Sequence, residues 1–183
     1  ICDSTNECMV TSWNAWELWN NRNNFRISLE EFSDKETQSF KELRYYVKGA
    51  GDYFALRKLI SENKSKKILN YKDFKIFKEP YLNESKKFEE FFFISRKKLK
   101  DISIKKWINL HKVFDEVIFI IKKLNYLKKI YIATLKDIDS VKIILKNHGI
   151  QISEKNLFHQ KIINSKIEAL IKIEKIEKIN KNK

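Results

Sequence analysis

Three glycines and one proline are very few for 183 residues, and that scarcity excludes an all-β fold, which needs many tight turns. Long helices fit the same scarcity. Cys2 and Cys8 do not form a C-x-x-C pair, and no histidine stands at metal-ligand spacing from them. Two free thiols in a cytosolic protein are therefore expected, rather than a disulfide or zinc framework. His111, His148 and His159 are isolated from one another, with no H-E-x-x-H helix. The longest apolar run, Val117 to Ile121, is far short of a membrane span. The opening Ile1-Cys2-Asp3-Ser4-Thr5-Asn6-Glu7 is too polar for a signal peptide. The sequence opens on isoleucine and its single methionine is Met9, so it reads as a piece of a longer, cytoplasmic protein.

Positive charge is abundant. Lys and Arg number 38 against 24 Asp and Glu, leaving a net charge of +14. Such an excess invites a nucleic-acid reading through counterion release. Here, however, nearly all of it is lysine, spread along the whole length among Asn and Ile, as in a coding sequence biased toward A and T. A nucleic-acid partner is not the expected one. A non-catalytic basic helical protein binding nucleic acid or acidic partners stands as the alternative function.

The residue pattern predicts helices first. Val10, Trp13, Trp16 and Trp19 recur every three residues, a helical core stripe. Ser28 with Glu31 makes a capping-box pattern, and Ser33 can cap the next helix. Phe40 to Val47 reads as a helix ended by Lys48-Gly49-Ala50-Gly51-Asp52, a turn rather than a dinucleotide loop. Asp52 is expected to cap a helix through Tyr53, Leu56, Leu59 and Ile60. A helix with irregular flanks is expected within Ser61 to Pro80. From Asn83 to Lys100 another is expected, buried along Phe88, Phe91, Phe92 and Ile94. Ser103 caps a short turn toward Trp107. Leu110, Val113, Phe114, Val117, Ile121 and Leu124 then repeat at helical spacing, and Asn125 to Lys129 breaks that helix. Ile130 to Ala133 reads as a buried strand ending at Thr134. Asp137 caps a helix with Ile138, Val141, Ile144 and Leu145 inward, and Gly149 is its C′ residue. Leu157-Phe158 is a short strand, and Ser165 caps a last helix from Lys166 to Ile176. The tail from Lys175 is lysine-rich and expected to fray.

Three short motifs in order carry a family resemblance. Ile1-Cys2-Asp3-Ser4 resembles the last four positions of the D-x-D-G-[TV]-[LI]-x-D-S motif of haloacid-dehalogenase-type phosphohydrolases. The strand ending at Thr134, with Lys136 behind it, resembles the second motif; Leu135 and Asp137 depart from it. Asn164-Ser165-Lys166-Ile167-Glu168-Ala169-Leu170 resembles the third, a lysine opening a helix, with Lys161 as the competing lysine. The resemblance implies an α/β fold, helix-rich overall: a partial Rossmann-like core of parallel strands with an inserted all-helical cap. Residues 1–10 would start the core, 11–106 form the cap and 107–183 complete the core.

The resemblance further implies hydrolysis of a small phosphorylated metabolite through an aspartyl-phosphate. Thr134 would donate to a non-bridging phosphoryl oxygen, and Lys166 would offset the charge of nucleophile and phosphate. Arg44, Lys48 and Lys136 are the candidate substrate-binding residues. Magnesium is the implied cofactor, with its ligands, like the nucleophilic aspartate, expected outside the 183 residues. The 183 residues alone are therefore expected to be catalytically silent.

Overall fold

The computed structural model describes residues 1–125 and 129–177. The protein is helix-rich with small sheets, in the order β1 (Cys2–Asp3), α1 (Thr5–Trp19), α2 (Asp34–Arg44), α3 (Tyr53–Ser61), α4 (Tyr71–Lys78), α5 (Leu82–Ile102), α6 (Ile104–Asn109), β2 (Lys112–Val113), α7 (Asp115–Asn125), β3 (Ile132–Ala133), α8 (Ile138–Asn147), β4 (Leu157–Phe158) and α9 (Lys166–Ile176). It divides into two compact units: Cys2–Lys112, and Ile1 together with Val113 onward. Residues 2–10, expected to open the α/β part, group with the helices instead. The reason is local: α1 starts at Thr5 and carries Glu7, Cys8, Met9 and Val10 into the helical core.

In the helical unit α1 is the central element, packed on α5, α3 and α2. Its buried residues run from Glu7 to Glu17 and occupy nearly every face, as a helix surrounded by others requires. Trp16 and Trp19, expected in a core stripe, are half-buried at its margin, with ring centroids 5.6 and 5.3 Å from Phe54, because the fully buried positions of α1 are Cys8, Thr11, Ala15 and their neighbours. Trp19 also meets Phe91 edge-on at 5.4 Å. Trp13 turns to Phe32, with the Arg26 guanidinium 3.8 Å above its ring. On α5 the buried side is Ser85, Phe88, Phe92, Ser95, Arg96 and Leu99. Ile94, expected on that side, is exposed, because the true stripe at i, i+3, i+4 and i+7 runs through Arg96 instead. Gly51 is required at its place: a Cβ there would sit 2.5 Å from the Ser85 carbonyl oxygen.

Two further expectations are corrected. Asp52 does not cap α3. Its backbone is already helical, and its carboxylate accepts from the Lys48 and Gly49 N–H groups (2.8 and 3.3 Å) and from Lys78 Nζ (2.7 Å). The apolar run from Leu110 is not one helix either. Lys112–Val113 forms β2 beside β1, and the Phe114 N–H donates to the Ile1 carbonyl at 3.1 Å, so α7 starts only at Asp115.

The α/β unit is built on β3 and β4, which pair in parallel with Ile132 opposite Leu157 and Ala133 opposite Phe158. α8 crosses between them, so the order helix, strand, helix, strand, helix is the one expected, though the strand before Thr134 is two residues shorter than predicted. Ile118, Val141, Leu145, Ile150 and Leu157 form one core cluster, and Phe158, Ile163 and Ala169 another. The expected helix break at Asn125 to Lys129 falls mostly on residues 126–128, outside the described residues. So does the tail from residue 178, while Lys175 and Ile176 still belong to α9.

Candidate functional site

The carboxyl edge of the β3–β4 pair is where the α/β unit gathers its polar residues. The Thr134 N–H donates to the Phe158 carbonyl at 2.8 Å, extending the parallel pairing by one residue and fixing Thr134 at the strand end. Its Oγ1 accepts from the Lys136 N–H at 3.1 Å, a serine/threonine turn that folds the loop back on the strand. Asp137 then caps α8 by accepting from the Ser140 N–H at 2.9 Å, as its position predicts. Beyond β4 the chain passes His159 and Lys161 and enters α9 at Lys166, where Ser165 accepts from the Glu168 N–H at 3.1 Å. In a parallel strand–helix–strand–helix unit, the loops leaving both strands lie at the same edge. Thr134, Lys136, Lys161 and Lys166 therefore belong to one edge. Lys161 and Lys166 are exposed, and Thr134 and Lys136 are half-buried.

Arg44 and Lys48 belong to the helical unit. α2 ends at Arg44, three residues earlier than the sequence suggests, and Lys48 follows in the turn. Arg44 bends inward. Its Nη1 donates to the Val47 carbonyl at 3.3 Å, its guanidinium lies 5.6 Å from the Tyr53 ring centre, and its buried Nε has no hydrogen-bond partner among the described residues. Burial opposes its charge, but Tyr53, Cys8 and Asp3 outweigh that and hold its pKa above the ordinary value. Lys48 lies outside, its ammonium 5.2 Å from the Tyr71 ring centre.

The sequence reading missed a buried polar network on α1. Glu7 is fully buried and meets Arg96 in a two-pronged ion pair, Nε to Oε1 at 2.8 Å and Nη2 to Oε2 at 3.0 Å. The Glu7 carboxylate also accepts from Thr11 Oγ1 at 2.8 Å, Trp107 Nε1 at 3.4 Å and Cys8 Sγ at 3.7 Å. A second buried cation, Arg57, donates from Nε to Ser12 Oγ at 3.0 Å and from Nη2 to the Met9 carbonyl. Among the described residues it has no carboxylate partner, and burial lowers its pKa to about 9, so it is still charged at neutral pH. Tyr53 is buried beside Cys8. Burial pushes its phenol well above the ordinary value; Cys8 adds to the shift, Arg44 opposes it and Glu7 adds to it. One signal in the sequence could have located the network. Glu7 and Thr11 are one turn apart, and a polar pair in the middle of so apolar a helix needs a cation from elsewhere.

The Glu7–Arg96 pair is a satisfied ion pair inside a packed core, which fits a structural role. The strand edge is the place where a ligand can reach donors. Among the described residues no three His, Cys, Asp or Glu side chains converge on one point, so the residues present do not fit a magnesium site and no step is derived through one. Among them too, no helix is long and apolar enough to cross a membrane. No family model matches this chain, and no curated protein or solved structure matches it either.

Proposed function

We propose that the chain is part of a haloacid-dehalogenase-type phosphohydrolase of the cytoplasm, acting on a small phosphorylated metabolite, with the helical unit as its cap. The observation that carries this reading is the β3–α8–β4–α9 order, with Thr134 closing β3 and Lys166 opening α9. Ligands of open α/β sheets sit at the carboxyl ends of the strands, and helix N-termini there favour anions. Thr134 Oγ1 already accepts from the Lys136 N–H, which leaves the hydroxyl proton to donate to a phosphoryl oxygen. Lys166, exposed at the first turn of α9, supplies the charge that a transferring phosphoryl group requires. The nucleophilic aspartate and the magnesium ligands would come from residues outside these 183.

The coding region before Ile1 and the activity of the longer product test this. The region should encode D-x-D-G in register with Asp3-Ser4, and the longer product should hydrolyse p-nitrophenyl phosphate with magnesium. Thr134→Val should lower that rate by about 100- to 1,000-fold, the usual effect of removing one donor to a developing charge. An unchanged rate, or hydrolysis by the 183 residues alone, would sink the proposal. Nucleic-acid binding that weakens steeply with salt, in place of hydrolysis, would favour the basic binding protein instead.

A further inference from the structure

α7 carries a second apolar face that no described residue of its own unit covers. Its inner side is Ile118, which is buried, with Ile121 packed against the same cluster. On the opposite side, at the i, i+3, i+4, i+7 spacing of one helix face, stand Glu116, Phe119, Ile120 and Lys123. Phe119 is 66% exposed and Ile120 52%. Glu116 and Lys123 are exposed at the two ends of the stripe, and neither has an ion-pair partner among the described residues. The stripe is self-complementary in sequence: acid, two apolar residues, base.

We propose that this face is the two-fold seam of a homodimer in which α7 pairs antiparallel with α7 of a second copy. A two-fold axis between residues 119 and 120 sets each Phe119 against the other copy's Ile120. The same axis sets each Glu116 against the other copy's Lys123, giving two ion pairs that flank the apolar contact. The antiparallel arrangement also brings the N-terminus of each α7 to the C-terminus of the other, where the helix dipoles attract. A parallel pairing would oppose Glu116 to Glu116 and Lys123 to Lys123. The stripe spans only about two turns, so the dimer is a weak one, with Kd on the order of 100 μM. The proposal is independent of any phosphate chemistry at the strand edge.

Sedimentation equilibrium of the 183-residue chain up to roughly ten times that Kd tests it. Glu116→Lys and Lys123→Glu should each weaken self-association about tenfold or more, because each creates two like-charge pairs. Mixing the two variants should restore a dimer, since their stripes are then complementary, and the double exchange should restore it within one chain. Phe119→Ser should abolish it without any change of charge. Both charged positions are solvent-exposed, so circular dichroism of each variant should match that of the parent. A chain that stays monomeric over this range, association indifferent to the single exchanges, or variants that fail to pair on mixing would each overturn the proposal.

Discussion

Arg96 illustrates how one side chain can hold an interior together through charge. Its partner Glu7 is 89 positions away in sequence, and the pair joins α1 to α5 with no exposed carboxylate oxygen to hydrate. Burying two ions is costly, and the attraction offsets that cost only when the remaining lone pairs are met, as Thr11 and Trp107 meet them here. Arg96→Ala should therefore destabilise the protein by about 3–5 kcal/mol, because it strands Glu7 in the core. Replacing both Glu7 and Arg96 with apolar residues of similar volume should cost much less, and urea unfolding of the single and double variants measures the difference. Tyr53 gives a pH prediction. Its folded pKa is raised, so its contribution is fully present below the unfolded value near 10 and is lost as pH rises toward the folded value. Stability should fall above about pH 10, and Tyr53→Phe should flatten that part of the profile. Tyrosinate absorbance should show Tyr53 ionising only as the chain unfolds.

Helix ends show how much of the fold is legible in the sequence. Ser28, Ser33, Ser103, Asp137 and Ser165 all cap where their residue type and position predict, because a cap is a local contact between neighbours. The C-termini are less legible. Gly149 is the left-handed C′ residue its type predicts, and Asn21 and Asn63 play the same part without a glycine to mark it, with φ of 56° and 53°. At all three ends a C″ amide reaches back to the C3 carbonyl, Arg22 to Glu17 at 2.8 Å, Lys64 to Leu59 at 2.8 Å and Ile150 to Leu145 at 2.9 Å. Asparagine pays a steric cost there that glycine does not. Asn63→Gly should thus hold or raise the melting temperature, while Asn63→Ala should lower stability by about 1 kcal/mol. Gly51→Ala should be worse than either, by about 1–3 kcal/mol, since its methyl would meet the backbone of α5. What the sequence hides are features set by the most distant partners. The pairing of Glu7 with Arg96 and the two residues of β2 depend on chain segments about a hundred positions apart. At the strand edge the residue types were legible, Thr134 and Lys166 among them, while the inward turn of Arg44 was not, because Tyr53 and Val47 decide it.

At the scale of the whole molecule the two units differ in how much they bury. The helical unit contains the stacked aromatic core, and all four tryptophans, Trp13, Trp16, Trp19 and Trp107, belong to it. Among the described residues the α/β unit has two small apolar clusters. Stability follows buried apolar area, so the second unit should open at lower free energy than the first. The distribution of tryptophan makes this measurable without cutting the chain. Tryptophan emission reports the helical unit alone, whereas far-ultraviolet circular dichroism also sees α7, α8 and α9. On heating, part of the dichroism should be lost before the emission shifts, and amide exchange should be faster in β3, β4 and α9 than in α1 and α5. Coincident transitions would mean that the two units unfold as one cooperative body. The self-association of α7 sharpens the test. If the exposed stripe is the dimer seam, the early dichroism transition should move to higher temperature with protein concentration while the emission transition stays fixed, and Phe119→Ser should remove that dependence.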